Sequence, residues 1–320
     1  MNKPSAQSPR SPLPRAYPAL RHVLRALLFF LPLLLLFTVA ECALRSMPNT
    51  YRIKSEGMAA AAPELQTIVL GASHTLMSIN PALLTTKAYN MAGVSQTLDI
   101  DCDLLATYLP QTPGLQCVVV CADAGILFDP PLSQGTESFR CTYYNLYTPV
   151  PRIGNWPRFA LETASYTGAK EKIKSWFRGE GPQIDAGGFY TGYTPDLSDT
   201  TAFTIKQAAE RTAYHLSKGF KHLDDNRKHL FQLYEQCQKH NLRFILITTP
   251  THPLYQDALP DSARTAVSAT LGEFRGRPKS LVLDYSSDKR FTTPDFFDLD
   301  HLNTRGAAKF TRILSKEAGI

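Results

Sequence analysis

The chain has 320 residues, 43% of them hydrophobic, which suits one substantial globular domain plus a tail. Its net charge of +6 is modest and gathers at the start, in Lys3, Arg10, Arg15, Arg21 and Arg25, with no acidic residue before them; the balanced remainder offers no basic face for nucleic acid. Six cysteines, none in a CxxC pair, argue against a zinc or redox motif of that kind.

Residues 1–22 are rich in Pro, Ser and Arg and read as a disordered tail. Ala26–Ala40 is uncharged and mostly Leu and Phe. Extended to residues 23–44, it makes a helix of about 33 Å, enough to cross a bilayer core of about 30 Å. Pro32 is tolerated in such a helix. The basic flank predicts a cytoplasmic N-terminus, a single pass through a bacterial inner membrane and a periplasmic or extracellular main domain. A cleaved signal peptide is the alternative, but no clean Ala-x-Ala site follows. Lipoprotein processing at Cys42 is disfavoured by Glu41, where a small residue is wanted. Residues 45–64 read as a linker.

From residue 65 onward strands and helices alternate. Thr67–Leu70 and Lys87–Asn90 are the first two strands. Thr97–Leu109 is a helix with an apolar stripe of Leu98, Cys102, Leu105 and Leu109. Gln116–Cys121 is apolar after its first residue, as a central parallel strand should be. Cys117 and Cys121 then act as small hydrophobes, although one disulfide is compatible with an oxidising compartment. Leu223–His240 is a long amphipathic helix. Arg243–Thr248 is the fourth strand, Ala263–Phe274 a helix, Ser280–Asp284 the fifth strand and Thr304–Ala318 the closing helix, capped by Asn303 or Thr304. This alternation predicts a three-layer α/β fold with a mostly parallel sheet. Residues 125–205 interrupt it as an insertion rich in Tyr, Pro, Gly and Thr. Short helices are expected there at Trp156–Ser165 and Lys170–Phe177. The insertion is either a substrate cover or a packed surface elaboration.

Two segments carry chemistry. Gly71-Ala72-Ser73-His74 stands at the carboxyl end of the first strand, where open α/β sheets bind ligands. Asp298-Leu299-Asp300-His301-Leu302-Asn303 leads into the last helix. A serine becomes a nucleophile when a histidine takes its proton and a carboxylate holds that histidine's tautomer. His301 and Asp298 are the candidates for those roles, and Ser73 is the candidate nucleophile. The bland reading makes Ser73 a helix-terminus serine. Asp300, the local rival of Asp298, is expected to point away from the base, solvated or capping.

These segments resemble the SGNH/GDSL hydrolase superfamily, whose members have a flavodoxin-like three-layer fold. Gly71-Ala72-Ser73 stands where that family has Gly-Asp-Ser, Asn90-Met91-Ala92-Gly93 at its glycine block, and Asp298 with His301 at its last block. The chain also looks like a largely uncharacterised group of membrane-anchored bacterial SGNH-like proteins, and its motif order is similar to that of D-alanyl transfer proteins. The resemblance covers residues 24–125 and 220–320. It implies an oxyanion hole from the Ser73 and Gly93 backbone N–H groups, with Asn90 donating an amide or bracing the turn. Ala72 replaces the family Asp, and the third block, Cys121-Ala122-Asp123-Ala124, has no Asn or Gln; losing one such donor costs ~10²–10³ in rate. His74 and Asp123, on the same rim, are candidate substrate-binding residues; the alternatives are a packed histidine and a capping aspartate. No cofactor is expected. Asp298, Asp300 and His301 lack a further His or Cys at metal-ligand spacing.

The expectation is a membrane-anchored, periplasm-facing serine esterase or O-acyltransferase acting on an envelope glycan or similar ester through an acyl-enzyme. The rival is a non-catalytic SGNH-like accessory protein serving a membrane acyl-transfer or export partner. A phosphoryl-handling flavodoxin-like domain is disfavoured, because the serine turn lacks the glycines of a phosphate loop.

Overall fold

The computed structural model describes residues 18–151, 161–195 and 203–320. The expected tail lies mostly before these, and half of the expected helix Trp156–Ser165, residues 156–160, also falls outside the described residues; the other half holds one 3₁₀ turn, Glu162–Ala164. The chain forms two units, Met1–Ser46 and Met47–Ile320.

The described part of the first unit is one helix, α1 (Pro18–Ser46), with Pro32 inside it. Its stretch Arg21–Ser46 is long and apolar enough to cross a membrane.

The second unit opens with a helix where the sequence suggested a linker. In α2 (Thr50–Ala61) the Asn49 side chain accepts from the Arg52 N–H and caps the first turn. Met58 is fully buried in the core, and Lys54 Nζ donates to the Gly188 carbonyl at 2.8 Å. Partners far along the chain therefore fix this helix, and the expectation of a linker over 45–64 is corrected.

Five strands follow: β1 (Thr67–Val69), β2 (Ala88–Asn90), β3 (Cys117–Cys121), β4 (Arg243–Thr248) and β5 (Ser280–Asp284). They form a single all-parallel sheet in the order β2-β1-β3-β4-β5. In register, Ile68 faces Tyr89 on one side and Val118 on the other, while Val119 faces Ile245. Every residue of β3 is buried, so both faces of the sheet centre are covered, which is why its sequence is a continuous apolar run.

Between the strands lie α3 (Ser73–Ser78), α4 (Leu98–Tyr108), α5 (Ala124–Leu127), α6 (Arg140–Tyr147), α7 (Tyr166–Phe177), α8 (Ile205–His215), α9 (Leu223–Lys239), α10 (Pro253–Ala258) and α11 (Asp261–Gly272), and α12 (Thr304–Ala318) closes the unit. Helices α4 and α9 pack on each other, α5 touches α9 and α11, and α12 packs on α3. Asn303 caps α12 through Gly306 N–H. All six cysteines are free.

The chain leaves β1 for β2 on one side and then returns past β1 to β3. The crevice between the carboxyl ends of β1 and β3 is thus a topological switch point, the place where such sheets hold ligands. Ser73 follows β1 and Asp123 follows β3 at this crevice.

Candidate active site

The turn after β1 depends on Gly71. Its φ of +128° is a conformation side chains rarely adopt, and a Cβ there would lie 2.5 Å from Thr75 Oγ1. Its N–H donates to Asp101 Oδ1 at 3.1 Å, and Gln96 Nε2 donates to the same oxygen at 2.6 Å. Burial pushes the Asp101 carboxyl up to about 7, although both hydrogen bonds favour its charged form. The turn delivers Ser73 to the first position of α3, partly exposed.

The segment after β5 supplies the other half. Asp298 Oδ1 accepts the backbone N–H groups of Asp300 and His301 at 3.0 and 2.8 Å, so the Asp-x-x-His spacing closes a tight turn. His301 Nδ1 lies 3.0 Å from each Asp298 oxygen, and its Nε2 lies 2.9 Å from Ser73 Oγ. The three residues form a continuous Ser–His–Asp relay with the tautomer set at Nδ1. His301 is buried, whereas the Asp298 side chain is 40% exposed.

The donors expected around the serine are arranged differently. The Asn90 amide donates to the Thr75 and Ile79 carbonyls at 3.2 and 2.9 Å, and its Oδ1 accepts the Ala92 N–H at 3.0 Å. It braces the turn and has no free donor. Gly93 N–H donates to the Gly71 carbonyl at 3.0 Å. The Ser73 N–H heads α3.

Beside the relay lies a buried ionic cluster. His74 Nδ1 is 2.6 Å from Asp123 Oδ2 and its Nε2 is 2.9 Å from Asp300 Oδ2. A neutral imidazole has only one N–H, so a ring between two carboxylates is an imidazolium. Burial opposes that charge, but Asp123 and Asp300 outweigh it and push the His74 pKa up to about 10. Burial likewise resists ionising Asp123, yet His74 holds its pKa down at about 2. Asp123 Oδ1 also caps α5 through Ile126 N–H. Asp300 does not point away as expected. It is buried, and Arg211 Nε reaches both its oxygens at 2.8 Å. The correction has a physical cause: three non-local groups, His74, Arg211 and His215, draw this carboxylate inward. His215 Nε2 is 3.4 Å from Asp300, and its Nδ1 is 2.6 Å from the Tyr255 hydroxyl. Burial, aided by the charges of His74 and Arg211, lowers the His215 pKa to about 4 despite Asp300, so this ring is neutral. Two carboxylates are balanced by two cations.

His74, Asp300 and His301 bring possible metal-ligand atoms within 4.8 Å of one another. Asp298 and Ser73 take the His301 nitrogens, the two carboxylates take those of His74, and Arg211 lies on Asp300.

Part of the insertion lies on the site. Tyr193 stacks on Phe297 with centroids 3.6 Å apart and stands edge-on to His301 at 5.8 Å. Its carbonyl accepts the Thr304 N–H at 2.7 Å. Tyr193, Arg211 and His215 were not singled out from the sequence. The one available signal was the spacing of Arg211 and His215, one turn apart on an amphipathic helix. Beyond His74 and Asp123 opens a cavity of about 230 Å³ lined by Thr249, Thr251, Gln256, Arg264, Asp284 and Ser286, among others.

Fold and site together define an α/β protein with a Ser–His–Asp constellation at the switch point of a parallel sheet. The model of an uncharacterised family matches residues 205–319, which hold β4, β5, Asp298 and His301 but not Ser73. No curated protein matches the chain.

Proposed function

We propose that the protein is a membrane-anchored SGNH-type serine esterase or O-acyltransferase. One observation carries this: Ser73 Oγ, His301 Nε2 and Nδ1, and the Asp298 carboxylate lie in one hydrogen-bonded line. The sheet order, which is that of flavodoxin-like folds, supports the SGNH reading.

Ser73 Oγ attacks an ester carbonyl while His301 Nε2 takes its proton. Asp298 stabilises the imidazolium. The tetrahedral intermediate collapses to an acyl-serine, and His301 returns the proton to the leaving alkoxide. Water or an acceptor hydroxyl, deprotonated by His301, then attacks the acyl-serine, and Ser73 leaves with the proton restored. The hydroxyl-lined cavity beyond Asp123 suits a polyhydroxylated substrate such as an envelope glycan. The α1 helix supplies the anchor, with the catalytic unit on the periplasmic side.

The second reading, a non-catalytic accessory protein for envelope polysaccharide modification or export, is favoured by the committed state of the Asn90 amide and the Gly93 N–H. Intact-mass labelling with a fluorophosphonate separates the two. One adduct on the wild-type chain, absent from Ser73→Ala and His301→Ala, supports the enzyme. A folded wild-type chain that takes no adduct supports the accessory role.

A further inference from the structure

Helix α7 carries its apolar stripe on the wrong side for a helix of a globular domain. Its inner face is formed by Gly168, Lys172 and Ser175. Gly168 is packed so tightly on the Tyr143 hydroxyl that a Cβ would collide with it, and Lys172 pairs with Glu162 and lies over the Tyr143 and Tyr147 rings. On the opposite side Tyr166, Ile173, Trp176 and Phe177 align at helical spacing and face outward, Tyr166 at 79% and Phe177 at 77% exposure. Lys170, Lys174 and Arg178, all exposed, run along one flank of this stripe four residues apart.

The position of this helix says what covers it. Met47 and Pro48 line the same groove, of about 590 Å³, as Ser175 and Trp176. Met47 is bonded to Ser46, the last residue of α1. By chain connectivity alone, this wall of the groove begins where the apolar helix ends. Aromatic residues beside a basic row are the composition of helices that lie in the interface of an anionic bilayer.

The geometry points to α7 as an interfacial helix that seats the aromatic stripe Tyr166–Phe177 among the headgroups of the membrane holding α1, with Lys170, Lys174 and Arg178 on anionic phospholipid. This rests on α1 being a membrane anchor. It gives the domain an attachment to the bilayer besides α1.

The test uses the full chain in vesicles of phosphatidylcholine and phosphatidylglycerol, with bromine at a shallow or a deep acyl position. The chain has 2 tryptophans, Trp156 and Trp176, and none in α1. Emission of a Trp156→Phe chain therefore reports Trp176, and a Trp176→Phe chain supplies the same signal by difference. The expected result is a blue-shifted emission, quenched more by shallow than by deep bromine and shielded from aqueous iodide, with quenching weakened by Lys170→Glu and Lys174→Glu together. A chain that floats with the vesicles while Trp176 stays open to iodide and blind to bromine overturns the inference and leaves the anchor standing. Shielding from iodide without bromine quenching also overturns it, because protein then covers the stripe. A chain that does not float overturns the anchor and this inference with it.

Discussion

The imidazoles of His74 and His301 stand edge-on, ring centroids 4.8 Å apart, and their nearest carboxylates differ, although Asp300 Oδ1 also lies 3.6 Å from His301 Nδ1. His301 turns its nitrogens to Asp298 and Ser73, while His74 turns both of its own to Asp123 and Asp300. Adjacent Asp-x-Asp carboxylates thus serve two separate tasks. Asp298 holds the His301 ring through Nδ1, and Asp300 neutralises His74 and Arg211 while lying beside His301.

This division predicts opposite phenotypes for the two aspartates. Asp298→Asn is expected to slow acylation of Ser73 by about 10⁴-fold, because the His301 tautomer is no longer held, while thermal unfolding changes little. Asp300→Ala leaves the buried His74 charge, and the half-buried Arg211, without their partner. It is expected to cost ~3–5 kcal/mol of stability, read by urea unfolding. Equal melting temperatures for the two variants would refute the division.

Three groups stand out in the pH dependence of stability, with Asp129, raised by burial from 3.8 to about 6, acting in the same sense as Asp101. His74 is raised from 6.5 to about 10, so its contribution is full below pH 6.5 and is lost as pH climbs to about 10. His215 is depressed from 6.5 to about 4; its contribution is full above 6.5 and is lost as pH falls towards 4. Asp101, raised from 3.8 to about 7, contributes fully below 3.8 and loses that contribution as pH rises to about 7. His215 and Asp101 therefore oppose each other between about pH 4 and 6.5. Melting temperatures across that window should rise with pH for Asp101→Asn relative to wild type, and fall for His215→Gln.

Gly71→Ala places a side chain at positive φ against Thr75. The expected loss is about 1–3 kcal/mol from backbone strain, accompanied by slower fluorophosphonate labelling as the serine turn shifts. Ala72→Gly, one residue on, where φ is −88°, serves as the control with unchanged labelling geometry.

Tyr255→Phe removes the hydroxyl that contacts the neutral His215 ring. The expected cost is about 1 kcal/mol, and the freed ring should titrate at a higher pH by NMR. An unchanged His215 titration would show that burial and the neighbouring charges keep it neutral without the hydroxyl.

The strands were legible because β3 and β4 are apolar runs whose length suits a covered parallel sheet, and β5 matched its expected limits residue for residue. The triad spacing was legible because Asp298 and His301 close a local turn. What was hidden depended on distant partners. Thr50–Ala61 carries a lysine in its middle, and only the carbonyl of Gly188, 134 residues away, explains why that lysine is buried in a helix. Asp300 looked solvated because an aspartate in a turn is usually exposed. Its burial requires Arg211, 89 residues before it, and His74, 226 residues before it. No local pattern announces such a meeting.

Ser73 and His301 are 228 residues apart in the chain. Closing a loop of that length carries a larger entropy cost than pairing strands close in the chain. Until it closes, the serine is an ordinary alcohol without its base. The Ser73–His301–Asp298 line therefore exists only once the segment after β5 has docked.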